Sequence, residues 1–358
     1  MVPGSGSAAR GRLILRFLAE RYETHVVHLA GRSPGRGDEE LAGRLASLTV
    51  VPYSEAGYFL GSPALYRAAV AVLRNSRIDF LFAEFEKAGG YSWRLSRRFG
   101  KPFFYDSHNV ESLRSLDLAG KTPLRLAFVP WLSFLERQAC RHALATFAVS
   151  EADARVFRRW APSGRVSVLP LAFDEEVFHP FYEEESGRAV VLMVGNYEYA
   201  ATREGAYAVR DRMAPAVLAH YPEAVFRFVG PGLPADFAGP GVEAPGFMDD
   251  LAAEYRRAAV VVAPIARGGG IKIKVVEALA MGRFLVATEK AMEGIEAAGL
   301  SHLTIVPLEE FAERISEALA RRPGRSAANW EAVSRIYGAR SRLPEMGAVI
   351  EESLRGRA

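Results

Sequence analysis

Short apolar runs alternate with amphipathic helical patterns along most of the sequence, and this alternation is the strongest constraint on the fold. Nine runs have the length and composition of buried strands, at residues 24–30, 79–85, 102–108, 145–150, 165–171, 189–196, 224–231, 260–266 and 283–289. Helical patterns such as residues 10–22 and 203–221 separate them. Alternating strands and helices predict an α/β fold with parallel sheets that are covered on both faces.

One polar and acidic stretch, residues 174–188, interrupts the alternation, and the pattern restarts after it. A chain of 358 residues is long enough for two domains of ordinary size. We therefore predict two Rossmann-like doubly wound domains, over residues 1–175 and 176–330, that face a central cleft. Residues 331–358 are expected to form a C-terminal helix that crosses back to the first domain.

The first predicted domain opens directly on a glycine-rich loop at residues 3–6, followed by a helix. A Rossmann-like domain normally places a buried strand before such a loop. Two interpretations stay open: the first strand is missing from this chain, or a disordered N-terminus precedes an ordinary helix.

The composition narrows the class of protein. About half of the residues are apolar (49%) and 24% are charged, as in a globular protein. The single cysteine, Cys140, excludes an intrachain disulfide and a cysteine-based metal site. No basic run with interleaved aromatic residues occurs, so nucleic-acid binding is not expected. These features fit a reducing cytoplasm.

The charge is distributed unevenly between the two halves. Residues 1–180 carry 24 Lys and Arg against 18 Asp and Glu, whereas residues 181–358 carry 21 against 24. The apolar stretch 126–135 is too short to span a membrane and contains Pro130. A buried helix is the simpler prediction for it, and peripheral contact with an anionic membrane is the alternative.

The stretch Val260–Glu277 carries the clearest chemical signal. A buried strand is followed by the glycines Gly268, Gly269 and Gly270, by Lys272 and Lys274, and then by a helical pattern. Glycines allow the backbone to approach a phosphate, and a helix N-terminus and a lysine both favour negative charge. The stretch therefore predicts an anion site. A glycine-rich turn with solvated lysines is the alternative, and the P-loop and dinucleotide fingerprints are both absent.

Several segments together resemble retaining glycosyltransferases of GT-B architecture, family 4, in its glycine-rich subgroup. The resemblance covers nearly the whole chain, and its segments are residues 3–6, 105–111, 148–154, 168–178, 192–199, 228–232, 268–288 and 293–296. The order and spacing of these segments make the match specific, although no single one does.

The resemblance implies a nucleotide-diphosphate sugar bound mainly by the second domain. Glu277 is expected to accept hydrogen bonds from the ribose hydroxyls. Lys274, with the backbone N–H groups of Gly269, Gly270 and Ile271, is expected to hold the diphosphate. The alternative for Glu277 is an exposed carboxylate three residues from Lys274 on a helix.

Further donor contacts follow from the same resemblance. Gly195 and Asn196 end the first strand of the second domain, where the donor passes close to the backbone. Gly4 and Gly6 would approach the sugar or the phosphate from the first domain. Lys272 either assists in phosphate binding or is solvated.

His108 lies at the end of the apolar run 102–108. In the family, a histidine at this place lies beside the transferred sugar, and without the family match it is an ordinary strand-end histidine. Strand alternation puts Asp106 on the same side as His108. Asp106 or Glu111 could orient it, and we take His108 and Lys274 as the catalytic residues.

The chain departs from the family pattern at two positions. Many members have a glutamate eight residues before the one matching Glu277, and Gly269 stands there instead. Many members also have a phosphate-binding Arg or Lys after the first strand of the second domain, for which Arg203 and Arg267 are the candidates. These departures affect the expected sugar contacts more than the diphosphate site.

The predicted reaction is transfer of a sugar from a nucleotide diphosphate to an acceptor hydroxyl with retention of configuration. No D-x-D motif occurs, so no metal and no cofactor are expected. The predicted partners are the nucleotide sugar and a saccharide or lipid-linked acceptor for cell-envelope polysaccharide synthesis. The expected location is the cytoplasm, with peripheral contact at the inner membrane face. A catalytically inactive nucleotide-binding or partner subunit is the alternative function.

Overall fold

The computed structural model describes residues 6–30, 36–52, 61–119, 123–182, 189–268 and 271–357. The chain divides into two compact units. The first unit contains Gly11–Pro170 together with Arg342–Ala358, and the second contains Leu171–Ser341 together with the described residues 6–10.

The described strands of the first unit form two parallel sheets. The two-stranded sheet pairs β1 with β2, and the four-stranded sheet has the order β3-β4-β5-β6. Their bounds are β1 His25–Ala30, β2 Ser47–Pro52, β3 Leu81–Glu84, β4 Phe103–Ser107, β5 Thr146–Ala148 and β6 Val166–Val168. Five of these strands were predicted. The sixth, β2, was missed because alternate residues along it are exposed, which weakens its apolar signal.

Seven helices are described in this part of the chain, of which α3 packs on β1 and β2, and α4, α6 and α7 pack on the four-stranded sheet. Their bounds are α1 Gly6–Ala19, α2 Arg36–Gly43, α3 Pro63–Asn75, α4 Phe85–Phe99, α5 Glu111–Ala119, α6 Pro123–His142 and α7 Glu151–Trp160. Helix α4 has two glycines in its first half, Gly89 and Gly90, although glycine is a poor helix former.

Close packing of α4 on α6 depends on those two glycines. A Cβ at Gly89 would lie 2.8 Å from the Cβ of Ala139, and one at Gly90 would lie 2.6 Å from Leu135. The two helices therefore approach each other through a strip without side chains. Behind them, Phe103 and Tyr105 of β4 are fully buried in the core of the unit.

The second unit contains a six-stranded parallel sheet with the order β12-β11-β10-β7-β8-β9. The bounds are β7 Val190–Val194, β8 Val225–Val229, β9 Val242–Gly246, β10 Ala258–Ala263, β11 Phe284–Ala287 and β12 Leu303–Ile305. Counted within the unit, this is the 3-2-1-4-5-6 order of a doubly wound sheet. The prediction missed β9 and β12, which are short and partly exposed.

The strand order changes direction between the neighbouring strands β7 and β10, so the topological switch point lies at the carboxyl ends of these two strands. The described helices that follow β7 along the chain are α8 Ala200–Ala208, α9 Ala214–Leu218, α10 Leu251–Arg257, α11 Ile273–Ala280, α12 Glu289–Met292, α13 Phe311–Arg321, α14 Ala327–Tyr337 and α15 Ala339–Arg355. The last of them, α15, belongs to the first unit from Arg342 onward. The single helix predicted over 203–221 is interrupted by a π-helical turn at Val209–Met213, because Pro215 has no N–H to continue the ladder.

The polar stretch 174–188, which separates the two predicted domains, is anchored on the second unit over its first half. Phe178 packs against the apolar core there, and its carbonyl accepts a hydrogen bond from Trp330 Nε1 at 3.1 Å. Residues 183–188 lie outside the described residues. None of the described helices is long and apolar enough to cross a membrane, and residues 126–135 lie within α6.

Candidate functional site

The switch point of the second unit is lined by backbone with little room for side chains. Gly195 follows β7, and a Cβ there would lie 2.4 Å from Thr202 and 3.3 Å from Lys274 Nζ. Gly230 follows β8 with φ of +133°, and a Cβ there would collide with the carbonyl oxygen of Gly195. Glycine is therefore needed at both strand ends, and ligands of doubly wound sheets bind at such switch points.

The loop after β10 enters this region from the neighbouring strand. Gly268 has φ of +99°, a left-handed conformation that glycine adopts without strain. Arg267 points away into solvent and pairs with Glu204 of α8, with its Nε 2.8 Å from the carboxylate. Gly269 and Gly270 lie outside the described residues.

Lys274 lies in the first turn of α11, beside the end of β7. Burial lowers the pKa of its ammonium to about 8, with a further lowering by Lys272 and an opposing effect of Glu277. No hydrogen bond or ion pair joins its Nζ to a described residue. A poorly solvated cation at a helix N-terminus is well suited to bind an anion.

Glu277 is buried one turn further along α11, at 6% exposure. The hydroxyl of Tyr255 on α10 lies 3.2 Å from its Oε2 and 3.1 Å from the carbonyl oxygen of Lys274. Burial raises the pKa of this carboxyl to about 7, against the lowering effects of the Tyr255 hydrogen bond and of Lys274. The alternative of an exposed surface carboxylate is therefore wrong.

Lys272 is the N-cap residue of α11 and is not solvated, so that alternative is wrong as well. Its Nζ lies 3.5 Å from Glu293 Oε2, and burial lowers its pKa while Glu293 raises it. Ile271 is half-buried against the apolar core, close to Gly294. These contacts hold Ile271 and Lys272, the two residues that precede α11, onto the second unit.

Other residues predicted for the donor site have local roles in the structure. The Asn196 side chain accepts a hydrogen bond from the Glu198 N–H at 2.9 Å, which tightens the turn after β7. Arg203 NH1 lies 3.5 Å from the Tyr197 carbonyl. Gly6 is the first residue of α1. Gly4 lies outside the described residues.

His108 immediately follows β4 in the first unit and is buried, at 6% exposure. Its Nε2 lies 3.3 Å from Asp106 Oδ2 and 3.9 Å from Glu84 Oε2. The predicted juxtaposition of Asp106 and His108 is confirmed. Glu111 does not approach the ring, because its carboxylate accepts two hydrogen bonds from Arg114 at 2.7 and 2.8 Å.

One face of the His108 ring is covered by Phe85. The two rings stack with centroids 4.0 Å apart and an angle of 14° between their planes. Phe85 has φ of +69°, which is rare for a residue with a side chain and marks local strain. The strand-to-helix turn after β3 thus holds an aromatic ring against the histidine.

Four residues of these two sites were not found from the sequence. Tyr255 lies far along the chain from Glu277, and Phe85 gives no pattern that predicts a left-handed backbone. Glu84 and Gly230 lie near the ends of the predicted strands 79–85 and 224–231, and Gly230 also lies in the segment 228–232 that carries the family resemblance. Within the described part of the chain, no group of three or more His, Cys, Asp or Glu residues is arranged to hold a metal ion.

Two family models match the chain over most of its length. Glycosyltransferase Family 4 matches residues 5–177, and Glycosyl transferases group 1 matches residues 188–321. A comparison with curated protein sequences found no match.

Solved structures share the fold at low sequence identity. Sucrose-phosphate synthase from Thermosynechococcus elongatus superposes with a TM-score of 0.71 at 16% identity, over 96% of this chain and 92% of that protein. The Anabaena protein HepE, solved with UDP and glucose, gives 0.70 at 17% identity, over 98% and 96%. A glycosyltransferase from Rickettsia africae gives 0.66 at 12% identity, over 99% and 96%.

The family matches and the fold together confirm the resemblance to glycosyltransferases of GT-B architecture, whereas retention of configuration and the glycine-rich subgroup stay predictions. The chain belongs to the glycosyltransferases, with a Glycosyltransferase Family 4 domain followed by a Glycosyl transferases group 1 domain. Its two α/β units with parallel sheets have the fold of GT-B glycosyltransferases.

Proposed function

We propose that the chain transfers a sugar from a nucleotide diphosphate to an acceptor hydroxyl, with retention of anomeric configuration and without a metal ion. The observation that carries this proposal is the pair Lys274 and Glu277 on the first turns of α11. At the switch point of the second sheet, Glu277 is buried and Lys274 is half-buried, with its Nζ beside the bare backbone of Gly195. A site with one cation and one carboxylate in this arrangement suits a nucleoside diphosphate.

The two residues have complementary roles in the proposed site. Lys274 binds the diphosphate together with the N-terminus of α11, because both favour negative charge. Glu277 accepts hydrogen bonds from the ribose hydroxyls, held in place by Tyr255. Gly195 allows the donor to pass close to the end of β7. The presence of UDP in the HepE structure supports a nucleoside diphosphate as the common element of the donor.

Transfer breaks the bond between the anomeric carbon and the diphosphate oxygen and forms a bond from that carbon to the acceptor oxygen on the same face. The acceptor proton passes to the departing phosphate oxygen, so no carboxylate pair of the glycosidase type is required. Lys274 stabilises the charge that develops on the leaving diphosphate. We assign to His108 a hydrogen bond to the transferred sugar.

The proposed acceptor is a saccharide or a lipid-linked saccharide of the cell envelope, which the first unit recognises. His108, Asp106 and Glu84 provide a polar strand end in that unit, and hydroxyl groups are suitable partners for them. The glycine-rich subgroup is proposed because Gly269 stands where many members of the family carry a glutamate.

The experiment that tests this proposal is turnover of nucleotide sugars in the presence of EDTA. Slow transfer to water releases the nucleoside diphosphate, and proton NMR identifies the anomer that appears first. We expect one class of donor to turn over with retention in the wild type and not in Lys274→Met, whereas Lys101→Met behaves as the wild type. An inverted first product, or turnover that requires a divalent metal, would contradict the proposal, and binding without turnover would favour the inactive subunit.

A further inference from the structure

Exposed apolar side chains are concentrated on two adjacent helices of the first unit. Among the described residues, twelve large hydrophobic side chains are exposed, and five of them lie on α5 and α6. These five are between 38% and 46% exposed, and they are Leu113, Leu116, Leu126, Trp131 and Phe134. Such a concentration on two neighbouring helices is unusual for the free surface of a monomer.

The aromatic members form a continuous row across α6 and α4. Trp131 stacks on Phe134 with centroids 5.8 Å apart, and Phe134 meets Trp93 of α4 edge-on at 5.9 Å. The guanidinium of Arg97 lies 5.9 Å from the Trp93 ring. We call this row, together with Leu126 near the start of α6, the aromatic–arginine face. Trp131 and Phe134 are exposed and three residues apart, so they lie on the same side of α6, and Trp93 and Arg97 extend the row onto α4.

The charged side chains that are described and exposed on α4 and α6 have one sign: they are Arg94, Arg97, Arg98, Arg137 and Arg141. Arg137 lies 5.1 Å from the Trp160 ring of α7, and Arg141 donates a hydrogen bond to the Trp160 carbonyl oxygen, so the arginines of α4 are the ones that the face offers to a partner.

The described carboxylates of the same helices do not offset these charges. Glu86 and Glu136 are buried, and Glu111 is bound to Arg114. Glu136 is bound internally, since it accepts hydrogen bonds from the N–H groups of Glu111 and Ser112. By contrast, α15 exposes both signs, with Glu345 and Glu352 each paired to an arginine.

We propose that the aromatic–arginine face docks on the surface of a membrane that contains anionic lipids. Tryptophan, phenylalanine and leucine enter the boundary between headgroups and acyl chains, and arginines around them bind lipid phosphates. Binding is peripheral, because the apolar rows lie along the surface of the unit. This docking does not depend on the proposed transfer reaction, although it would bring a lipid-linked acceptor to the same unit.

A second copy of the chain is a poorer occupant of the same face. An isologous contact would place the arginines of one copy against those of the other, and no described exposed carboxylate on these helices offsets them. An anionic lipid surface offers the opposite charge and a layer that accepts apolar side chains. The charge pattern therefore favours the membrane over self-association.

The test is sedimentation of the full chain with vesicles of phosphatidylcholine alone and with vesicles that contain an equal part of phosphatidylglycerol. We expect the wild type to bind the anionic vesicles more tightly, and the binding to weaken with salt. The variant Trp131→Ser/Phe134→Ser should lower the vesicle partition coefficient by at least about tenfold. Phe181→Ser, which removes a 62% exposed aromatic residue of the second unit, is the matched control and should bind as the wild type.

The charge contribution is tested by a second matched pair. Arg94→Gln/Arg97→Gln should weaken binding to anionic vesicles, whereas Arg355→Gln/Arg357→Gln makes the same change in net charge away from the face and should not. Melting temperatures of all variants show whether each remains folded. Equal binding of the wild type to both vesicle types, or of the face variants and their controls, would overturn the proposal. So would a dimer in light scattering that Trp131→Ser/Phe134→Ser dissociates.

Discussion

The two strand-end sites of this chain are built by different means. In the second unit, Lys274 and Glu277 lie on one helix beside glycine backbone, and each has a pKa moved by burial. In the first unit, His108 is fixed by side chains alone, between the Phe85 ring and the carboxylates of Asp106 and Glu84. The comparison suggests that the second site supplies charge for a leaving group and the first supplies a precisely placed hydrogen-bonding ring.

That difference determines what a substitution should do in each site. Removing a buried charge that faces the diphosphate should reduce both binding and transfer, because the interaction exists in both states. Removing the histidine should reduce transfer more than nucleotide binding, because its proposed partner is the sugar.

The largest effect is expected for Lys274→Met. We expect transfer to fall by about 100- to 1000-fold, because a preorganised cation at the leaving group is lost. Steady-state release of nucleoside diphosphate measures this effect, and Lys101→Met is the control. Because burial disfavours the Lys274 charge, the variant should not melt below the wild type in the absence of ligand. Unchanged turnover would remove Lys274 from the proposed mechanism.

The second prediction concerns Glu277 and the ribose. We expect Glu277→Ala to weaken nucleoside diphosphate binding by about 10- to 100-fold, the value of one or two hydrogen bonds to a charged group. Calorimetry with the 2′-deoxy nucleotide completes a double-mutant cycle. The deoxy nucleotide should bind less tightly than the ribonucleotide to the wild type and equally to the variant. If the affinity lost in Glu277→Ala and the affinity lost with the 2′-deoxy nucleotide simply add, Glu277 does not contact that hydroxyl. The control variant Glu331→Ala should bind both nucleotides as the wild type does.

The third prediction follows from the pKa of Lys274, which is about 8 in the free protein. The diphosphate binds the protonated amine, so the bound pKa is higher than the free one. The Kd should therefore rise as the pH increases through 8, by about tenfold between pH 7 and pH 9 from Lys274, while ionisation of Glu277, whose pKa is about 7, lowers the Kd by at most about twofold. In Lys274→Arg the guanidinium stays charged, and the Kd should not rise over this range. An identical pH profile for the variant would contradict the assignment.

The smallest effect is expected at His108. We expect His108→Ala to lower kcat by about tenfold, the value of one lost hydrogen bond, while the Kd for the nucleoside diphosphate stays the same. The test compares the change in kcat with the change in the Kd for the nucleoside diphosphate. The control is His220→Ala, at an exposed position of the second unit. A loss of nucleotide affinity equal to the loss of kcat would show that the two sites do not differ as proposed.

The same comparison explains how much the sequence could predict. The second site depends on features that are local in sequence, a buried strand, a glycine loop and a helix start within Val260–Glu277, and these were predicted. For the six-stranded sheet, the alternation of strands and helices predicted its class, which is a parallel sheet covered by helices on both faces. Its strands β9 and β12 were missed because a short, half-exposed strand has little apolar periodicity.

The unpredicted parts depend on contacts between distant residues. The burial of Glu277 follows from packing of α10 and Tyr255 over α11, which no local pattern encodes. Phe85 takes a left-handed backbone conformation because its surroundings hold it there, against its own preference. Glu84 reaches His108 because β3 and β4 pair in parallel register, with Glu84 opposite Asp106.

The most direct test of the account is calorimetric titration of the wild type and Glu277→Ala with UDP, GDP, ADP and TDP in the presence of EDTA. The account predicts that one nucleoside diphosphate binds the wild type without metal and binds Glu277→Ala at least about tenfold more weakly. That result would establish the site at α11 and identify the base. Binding of none of the four to the wild type, or equal binding to both proteins, would contradict the proposal that α11 forms a nucleotide-sugar site.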